Sequence, residues 1–172
     1  MPGKVIGESL NFGYAGTPSR MSDCVIVPYA FAATHTGDKI KFGEAVAYDP
    51  DNNGVRKVTA SDTAASIVGI AVRRIGQPKS DDAEGWYYAP GEVVDVLVRG
   101  AVSVVAKVTK TTSVKPHGAV YVATAASGDI AIGDINTENG IKLNDTTFTH
   151  GNVDGENVTE IVIGQRNTVV NA

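Results

Sequence analysis

The sequence has little cysteine, few aromatic residues and no long apolar run, and each shortage excludes a class of protein. Cys24 is the single cysteine among 172 residues, so no internal disulfide can form and a disulfide-stapled secreted scaffold is excluded. No run approaches the roughly 18 apolar residues of a membrane helix. The opening residues lack the apolar core of a signal peptide. The chain is therefore predicted to be neither membrane-embedded nor exported by a signal peptide.

Signatures of catalysis and of nucleic-acid binding are missing too. The formal net charge of -4 argues against a general nucleic-acid binder, which needs a basic surface to release counterions. No nucleophile-elbow, phosphate-loop, dinucleotide-binding or zinc-protease pattern is present. His35, His117 and His150 are far apart in sequence and show no ligand spacing to one another or to Cys24. We therefore predict no enzyme activity, no cofactor and no metal site.

One segment resembles the first half of a calcium loop, the run from Asp49 to Gly54. Calcium in such a loop needs a bidentate carboxylate at position twelve, and that position is Ala60. We interpret the segment as a tight turn between two strands, in which Asn53 and Gly54 supply positive φ angles.

Valine, alanine, threonine and glycine dominate the chain, and their densest run extends over residues 89–108. Within it, Val94, Val96 and Val98 alternate with other residues at the period of two that half-buries a strand. Gly100 interrupts the run, which indicates a bulge or a sharp bend. The run predicts one long strand bent at Gly100, or two strands that meet at a corner.

Similar strand-like runs recur about every 10–15 residues with turn residues between them, a spacing typical of β-sandwiches and barrels. We predict an all-β fold, a single β-barrel or jelly-roll-like sandwich domain. Pro28 is expected at a sheet edge or a bulge, and Gly69 at a bulge. Residues 76–91 are predicted to form a surface loop. The other predicted strands cover residues 23–34, 39–48, 55–60, 66–75, 118–125, 130–132, 146–149 and 158–165.

Residues 1–22 differ from the rest, since they contain four glycines and two prolines and have no sustained periodicity. They predict an extended N-terminal arm, with a frayed terminus as the alternative, and residues 23–172 form the β domain. Leu10, Phe12 and Tyr14 alternate, so one face of the arm could lie in a groove or add to a sheet edge.

Three segments carry a resemblance to a known family. Asn11–Arg20 has Gly-Tyr, Gly and Ser-Arg elements before an Asp and an apolar strand. Residues 37–72 contain a hairpin followed by a Val-Gly-Ile-Ala strand. Residues 88–100 have a Pro-Gly-Glu turn that leads into a valine-rich strand and an Arg-Gly corner. Together they resemble the structural cement proteins, or decoration proteins, of tailed-phage heads.

This resemblance implies a small β-barrel or jelly-roll-like domain that coats an assembled head, binds the major capsid protein and stabilises the lattice. It also implies homo-oligomers, with trimers slightly favoured over dimers, and a place on the exterior of the virion after synthesis in the host cytoplasm. Neither nucleic acid nor membrane is an expected partner. Deletion of residues 1–20 is expected to leave a folded domain that no longer decorates heads. The predicted partner-binding residues are Phe12, Tyr14, Pro18 and Arg20, with Trp86 and Tyr87 as a second contact.

The alternative function is a carbohydrate-binding β module. Trp86, Tyr87 and Tyr88 are consecutive aromatic residues that could stack on a sugar, or one or two of them could instead cap the core beneath the loop. A hydrolase on a β fold would need a carboxylate or histidine cluster that the sequence does not show.

Overall fold

The computed structural model describes residues 12–73, 87–108 and 114–164, and these ranges form an all-β fold, as predicted. Within them no helix is long and apolar enough to cross a membrane. A single 3-10 turn, Met21–Asp23, precedes the first strand. The strands are β1 (Val25–Ala30), β2 (Ile40–Lys41), β3 (Ala45–Asp49), β4 (Gly54–Lys57), β5 (Ile67–Ala71), β6 (Tyr87–Tyr88), β7 (Val93–Val105), β8 (Ala119–Val122), β9 (Ile135–Asn136), β10 (Ile141–Phe148) and β11 (Val158–Ile163).

The long strand β7 joins the two halves of the sheet. Leu97, in its first half, lies opposite Ile26 of β1 on one edge and opposite Ile70 of β5 on the other. Its second half pairs with β11, from Gly100 opposite Ile163 onward. Gly100 has a φ of 118° at the point where the partner strand changes. The predicted strand with a bend at Gly100 is therefore confirmed.

The strand order is β4-β3-β5-β7-β11-β10-β8-β9, with β1 beside β7, and every ladder is antiparallel. Phe31, just after β1, forms an isolated parallel bridge with Val55 of β4. Ala106, just after β7, forms another with Ile135 of β9. Each half of the sheet is therefore curled: β4, at one end of the strand order, comes back to the end of β1, and β9, at the other end, comes back to the end of β7. This curled sheet is consistent with the predicted barrel or sandwich.

Two clusters of buried side chains stabilise the curled sheet. Val96 belongs to the smaller cluster and Leu97 to the larger one, because successive side chains of a strand point to opposite faces. β5 is buried at every position for the same reason: it is covered on both faces. Each fully buried valine or leucine contributes roughly 1.5–3 kcal/mol relative to an exposed one.

Pro28 and Gly69 lie as expected. In the described part of the chain β1 has a ladder only with β7, so Pro28 is at an edge where its missing N–H is tolerated. The register of β3 against β5 shifts beside Gly69, which confirms a bulge there. A Cβ on Gly69 would lie 2.2 Å from the Leu97 carbonyl oxygen, so this close approach requires glycine.

Other boundaries differ from the expectations. The predicted strand 39–48 is split into β2 and β3 by a turn in which Gly43 has a φ of 83°. The strand expected at 146–149 is the end of the longer β10, whose start carries polar, exposed side chains. The segment 130–132 is not a strand, and the pairing occurs at β9 instead. Gly54 begins β4 without a positive φ, whereas Asn53 has a φ of 50° and makes the turn as expected.

Candidate functional site

Residues 12–20 form the described part of the arm, and they lie along the edge of β7. The Gly16 amide donates to the Ser103 carbonyl oxygen at 2.7 Å, and the Ser103 amide donates to the Thr17 carbonyl oxygen at 3.0 Å. The Ser19 amide donates to the Ala101 carbonyl oxygen at 3.0 Å. The arm thus extends the β1 edge along the second half of β7. Of the two positions left open by the sequence, a sheet edge and a groove, these residues occupy the sheet edge.

Pro18 has a place in this pairing that suits its chemistry. It forms an isolated antiparallel bridge with Val102, between the hydrogen-bonded Thr17 and Ser19. No amide is needed at that position, because its neighbours on either side make the bonds. The half-buried Pro18 therefore faces the domain it belongs to.

Phe12 holds the start of the described arm through three contacts. Its amide donates to Asp154 Oδ2 at 3.3 Å, and its carbonyl oxygen accepts a bond from Ser103 Oγ at 2.7 Å. Its ring stacks on His150 with centroids 4.8 Å apart. Phe12 therefore attaches the arm to its own domain, a role that its position in the sequence did not indicate.

Arg20 holds the other end of the arm by an ion pair with Glu160 of β11. Arg20 Nη2 lies 2.8 Å from Glu160 Oε1, while the arginine side chain remains 58% exposed. Burial alone would raise the pKa of Glu160, but hydrogen bonds from Ser19 and Arg20 and the positive charge of Arg20 outweigh it and lower that pKa. Glu160 is thus ionised at neutral pH and anchors the arm.

The outward side of the arm is apolar and cationic. Tyr14 is 70% exposed and Met21 is 68% exposed, and both belong to the few large apolar side chains exposed in the described residues. The Arg73 guanidinium lies over the Tyr14 ring, 5.0 Å from its centroid. The docked arm, the 3-10 turn that follows it and the chain after β5 thus present an aromatic ring, a thioether and two arginine side chains. We call Tyr14, Arg20, Met21 and Arg73 the arm surface.

Two glycines allow the arm to cross the turn between β2 and β3. A Cβ on Gly16 would lie 2.8 Å from the Cβ of Phe42 and 3.0 Å from the Gly43 amide. The Gly16 carbonyl oxygen accepts a bond from the Arg73 amide at 2.7 Å. Gly16 therefore lies between the β2–β3 turn, β7 and the chain after β5, where no larger residue fits.

Replacing Gly16 with valine should lift the arm from β7. The new side chain would collide with Phe42 and Gly43 at a φ of 78°, so hydrogen exchange of the Ser103 amide should become faster by about tenfold or more. Gly13→Val is the matched control, since Gly13 has a similar φ of 84° but nothing within 4 Å of its Cβ position. Unchanged exchange at Ser103 in the Gly16 variant would show that the arm does not need this crossing.

The second predicted contact is only partly within the described ranges, because Trp86 lies outside them. Tyr87 is half-buried, and Lys39 Nζ lies 4.6 Å from its ring centroid. Tyr88 is 3% exposed, packs edge-on against Phe42 and donates its hydroxyl to the Val72 carbonyl oxygen at 2.7 Å. Tyr88 thus caps the core and is not available as part of a sugar-stacking platform.

A charged groove lies between the β2–β3 turn and the segment before β9. Two adjoining cavities of about 220 and 470 Å³ share Lys41, Glu44, Lys107 and Asp134. Burial raises the pKa of Glu44, although Lys57, 4.0 Å away, lowers it in part. The charges in the groove are balanced. In the described ranges no three metal-ligating side chains meet in any one place.

His35 also has a partner within the chain. Its Nε2 lies 2.7 Å from Asp49 Oδ2, and Asn52 donates to the same oxygen at 2.8 Å. Burial opposes ionisation of Asp49, but the hydrogen bonds from His35 and Asn52 outweigh it and lower the pKa of Asp49. His35 also stacks on Phe31, so this pair joins the loop after β1 to the β3–β4 turn.

Comparison with known protein families shows the family to which this chain belongs. The family described as XM1 gp53 minor capsid protein matches residues 3–163, which is most of the chain. The chain belongs to this family. The resemblance to phage-head proteins is therefore confirmed at the level of a capsid-associated structural family, and such a structural role in the virion follows for the chain.

A solved structure shares the fold of this minor capsid family member. A chain from "The capsid of Myoviridae Phage XM1" superposes with a TM-score of 0.67 at 18% identity, over 92% of this chain and 94% of that one. Comparison with curated proteins finds no match. The two chains therefore share their fold over nearly their whole lengths.

Proposed function

We propose that this chain is a decoration protein that binds the assembled lattice of the major capsid protein on the outside of the head and stabilises it. The observation that carries the proposal is the arm surface. Tyr14 and Met21 remain mostly exposed although the arm itself is hydrogen-bonded to β7. A folded chain normally buries most side chains of this size, so two that stay mostly exposed along one docked segment favour an interaction site there.

The composition of the arm surface suits a protein interface. Tyrosine, arginine and methionine are enriched at such interfaces, and the residues that dominate binding energy are often tyrosine and arginine. Because the arm is already docked, binding need not order a flexible segment first, and less conformational entropy is lost. The pairing with β7 thus supplies a preformed platform for this interface.

Stabilisation of a head by such a chain follows from mass action. Anything that binds the assembled lattice more tightly than its separate subunits shifts the equilibrium toward assembly. Many copies, or homo-oligomers with trimers slightly favoured over dimers, would add avidity without new contacts. The proposed partners are therefore the major capsid protein and further copies of this chain.

The test is binding to empty heads assembled from the phage's own major capsid protein. Truncating Tyr14 and Met21 together to alanine should weaken co-sedimentation with heads by about tenfold or more, since contact residues of this kind each contribute on the order of 1–2 kcal/mol. Stability should hardly change, because both side chains are largely exposed. Arg20 is left intact, since its substitution would also break the Glu160 ion pair.

The matched control is Val93→Ala, which truncates an apolar side chain that is 44% exposed at the other end of β7. This variant should bind heads like the wild type. Wild-type protein that fails to bind heads would overturn the decoration proposal. Normal binding by the Tyr14 and Met21 double variant would instead show that another surface contacts the lattice. Point substitutions test the side-chain contacts alone, whereas deletion of residues 1–20 also removes the main-chain hydrogen bonds between the arm and β7.

A further inference from the structure

We propose that the arm is exchanged between copies, so that residues 12–20 of one chain dock on the β7 edge of a second copy. The partner is a second copy of this chain, and the interaction surface is the edge at Ala101–Ser103 together with Glu160, His150 and Asp154. This inference does not depend on binding to the capsid lattice. It concerns how copies of the chain associate with one another.

The receptor surface for the arm is built almost entirely from residues distant in sequence. The arm contacts β7 through its backbone, β11 through Glu160, and the loop between β10 and β11 through His150 and Asp154. None of these contacts needs the arm to be covalently continuous with that domain. A second copy offers an identical receptor, which is the condition for exchange of an element between protomers.

The connection between the arm and β1 is a short turn that buries nothing. Met21–Asp23 is a 3-10 turn without a buried residue, closed by bonds of 3.2 Å from the Asp23 amide to Arg20 and 3.3 Å from the Cys24 amide to Met21. Opening this turn exposes none of its own side chains, but it breaks the Asp23–Arg99 ion pair at 3.3 Å and the bond from Cys24 Sγ to the Arg20 carbonyl oxygen at 2.9 Å. Residues 21–24 could then span about 14 Å between the exchanged arm and β1, so exchange brings the β7 edges of the two copies side by side.

An uncovered β7 edge would strongly favour a new partner. Without the arm, the main-chain groups of Ala101 and Ser103 on that edge would be unpaired, and such an edge is a template for another strand. A chain's own arm has the advantage of high effective concentration because it is tethered to its receptor, so exchange is expected at high protein concentration, where neighbouring arms are abundant, and not after dilution.

The side-chain contacts favour a second copy over a strand of an unrelated protein. A foreign strand could satisfy the main chain of β7 equally well. Only this chain's arm also supplies Arg20 for Glu160 and Phe12 for His150 and Asp154. These contacts at both ends of the arm select its register and its identity.

The direct test is a disulfide between positions 18 and 102, which face each other in the antiparallel bridge. In a Cys24→Ser background, one tagged chain carries Pro18→Cys and an untagged chain carries Val102→Cys. Neither chain can form the cross-link by itself. Exchange predicts a tagged–untagged covalent dimer at high protein concentration, and far less of it after dilution.

The collisional background comes from pairing the Pro18→Cys chain with a chain that carries Val93→Cys, an exposed position away from the arm. Mixed dimers from positions 18 and 102 should exceed this background by at least about tenfold, because the bridge holds those two positions together. Mixed dimers no more abundant than the background, at every concentration, would overturn the proposal.

A second measurement covers the case in which a cysteine variant fails to fold. Arg20→Lys keeps the charge at a mostly exposed position and places an amine near Glu160. Equimolar light and heavy-isotope protein is treated with a zero-length carbodiimide. Cross-linked peptides of mixed isotope composition are expected from exchange, whereas unmixed peptides alone would show that every arm stays on its own chain.

Discussion

Replacing Gly100 with alanine is expected to lower the free energy of unfolding by about 3 kcal/mol. Gly100 has a φ of 118°, a conformation that residues with a Cβ rarely adopt. A Cβ there would also lie 2.8 Å from Cys24 Sγ and 2.9 Å from Cys24 Cα. Strain and collision act together at the bend of β7, and both halves of the sheet depend on it. Urea unfolding followed by circular dichroism measures the loss.

Two alanine controls separate the causes. Gly128 has a φ of 58° with nothing within 4 Å of its Cβ position, so Gly128→Ala should cost only about 1 kcal/mol. Gly155 has neither a positive φ nor a neighbour within 4 Å, so Gly155→Ala should change stability by less than about 0.5 kcal/mol. If Gly100→Ala were no more costly than Gly128→Ala, the bend would not depend on the close approach of Cys24.

Replacing Asp62 with asparagine is expected to cost about 2–3 kcal/mol at neutral pH. The Asp62 carboxylate, 3% exposed, accepts two bonds from the Arg56 guanidinium at 2.8 Å each. It also accepts bonds from the Thr59 amide and from Ser66 Oγ, and so closes the loop between β4 and β5. An amide cannot accept at both positions, so Arg56 would lose part of its partner. Chemical unfolding of both proteins gives the difference.

The ion pair of Asp62 and Arg56 also predicts that the stability of the protein depends on pH. Burial opposes ionisation of Asp62, but the bonds from Arg56, Thr59 and Ser66 outweigh it and lower the pKa of Asp62 from 3.8 to about 2. The stabilisation is therefore present above about pH 4 and is lost as the pH falls toward 2. The difference in free energy of unfolding between the wild type and Asp62→Asn should decrease by about 1–2 kcal/mol from about pH 4 to about pH 2, after allowance for solvent screening.

The control for both measurements is Asp51→Asn, an exposed carboxylate in the β3–β4 turn. Its effect should be small, within about 0.5 kcal/mol, at either pH. A gap between wild type and Asp62→Asn that is the same at pH 6 and pH 2 would mean that the carboxylate's charge does not stabilise the loop. The contribution would then come from packing or neutral hydrogen bonds alone.

The course of β7 and the hairpin of β3 and β4 could be predicted because their signals are local. Alternating valines mark the strand, and Asn53 marks the turn. β10 was underestimated because Lys142 and Asp145 are exposed and polar, and Asp145 has a φ of 50° that breaks the pairing register. Such a strand depends on its neighbours β8 and β11 and has no strong pattern of its own.

The arm could be predicted as an arm, but its docking could not. Arg20 and Glu160 pair across almost the whole described chain, and no local pattern relates two residues so far apart. The bonds from Gly16 and Ser19 to β7 are main-chain bonds, which leave no mark on side-chain chemistry. The exposed Tyr14 and the half-buried Phe12 look alike in the sequence, and alternation would place them on one face. Gly13, with a φ of 84°, and the turn closed by the bond from the Thr17 amide to the Tyr14 carbonyl oxygen separate them.

The position of β7 in the sheet also determines when the chain can fold during synthesis. β1 emerges from the ribosome long before β7, and the second half of β7 waits for β11 near the end of the described chain. Pairing between distant segments is slow, because loop-closure entropy is lost before contacts compensate for it. The second half of β7 therefore cannot complete its pairing until β11 has been made, and newly made copies should pass through a period in which β7 lacks its last partner.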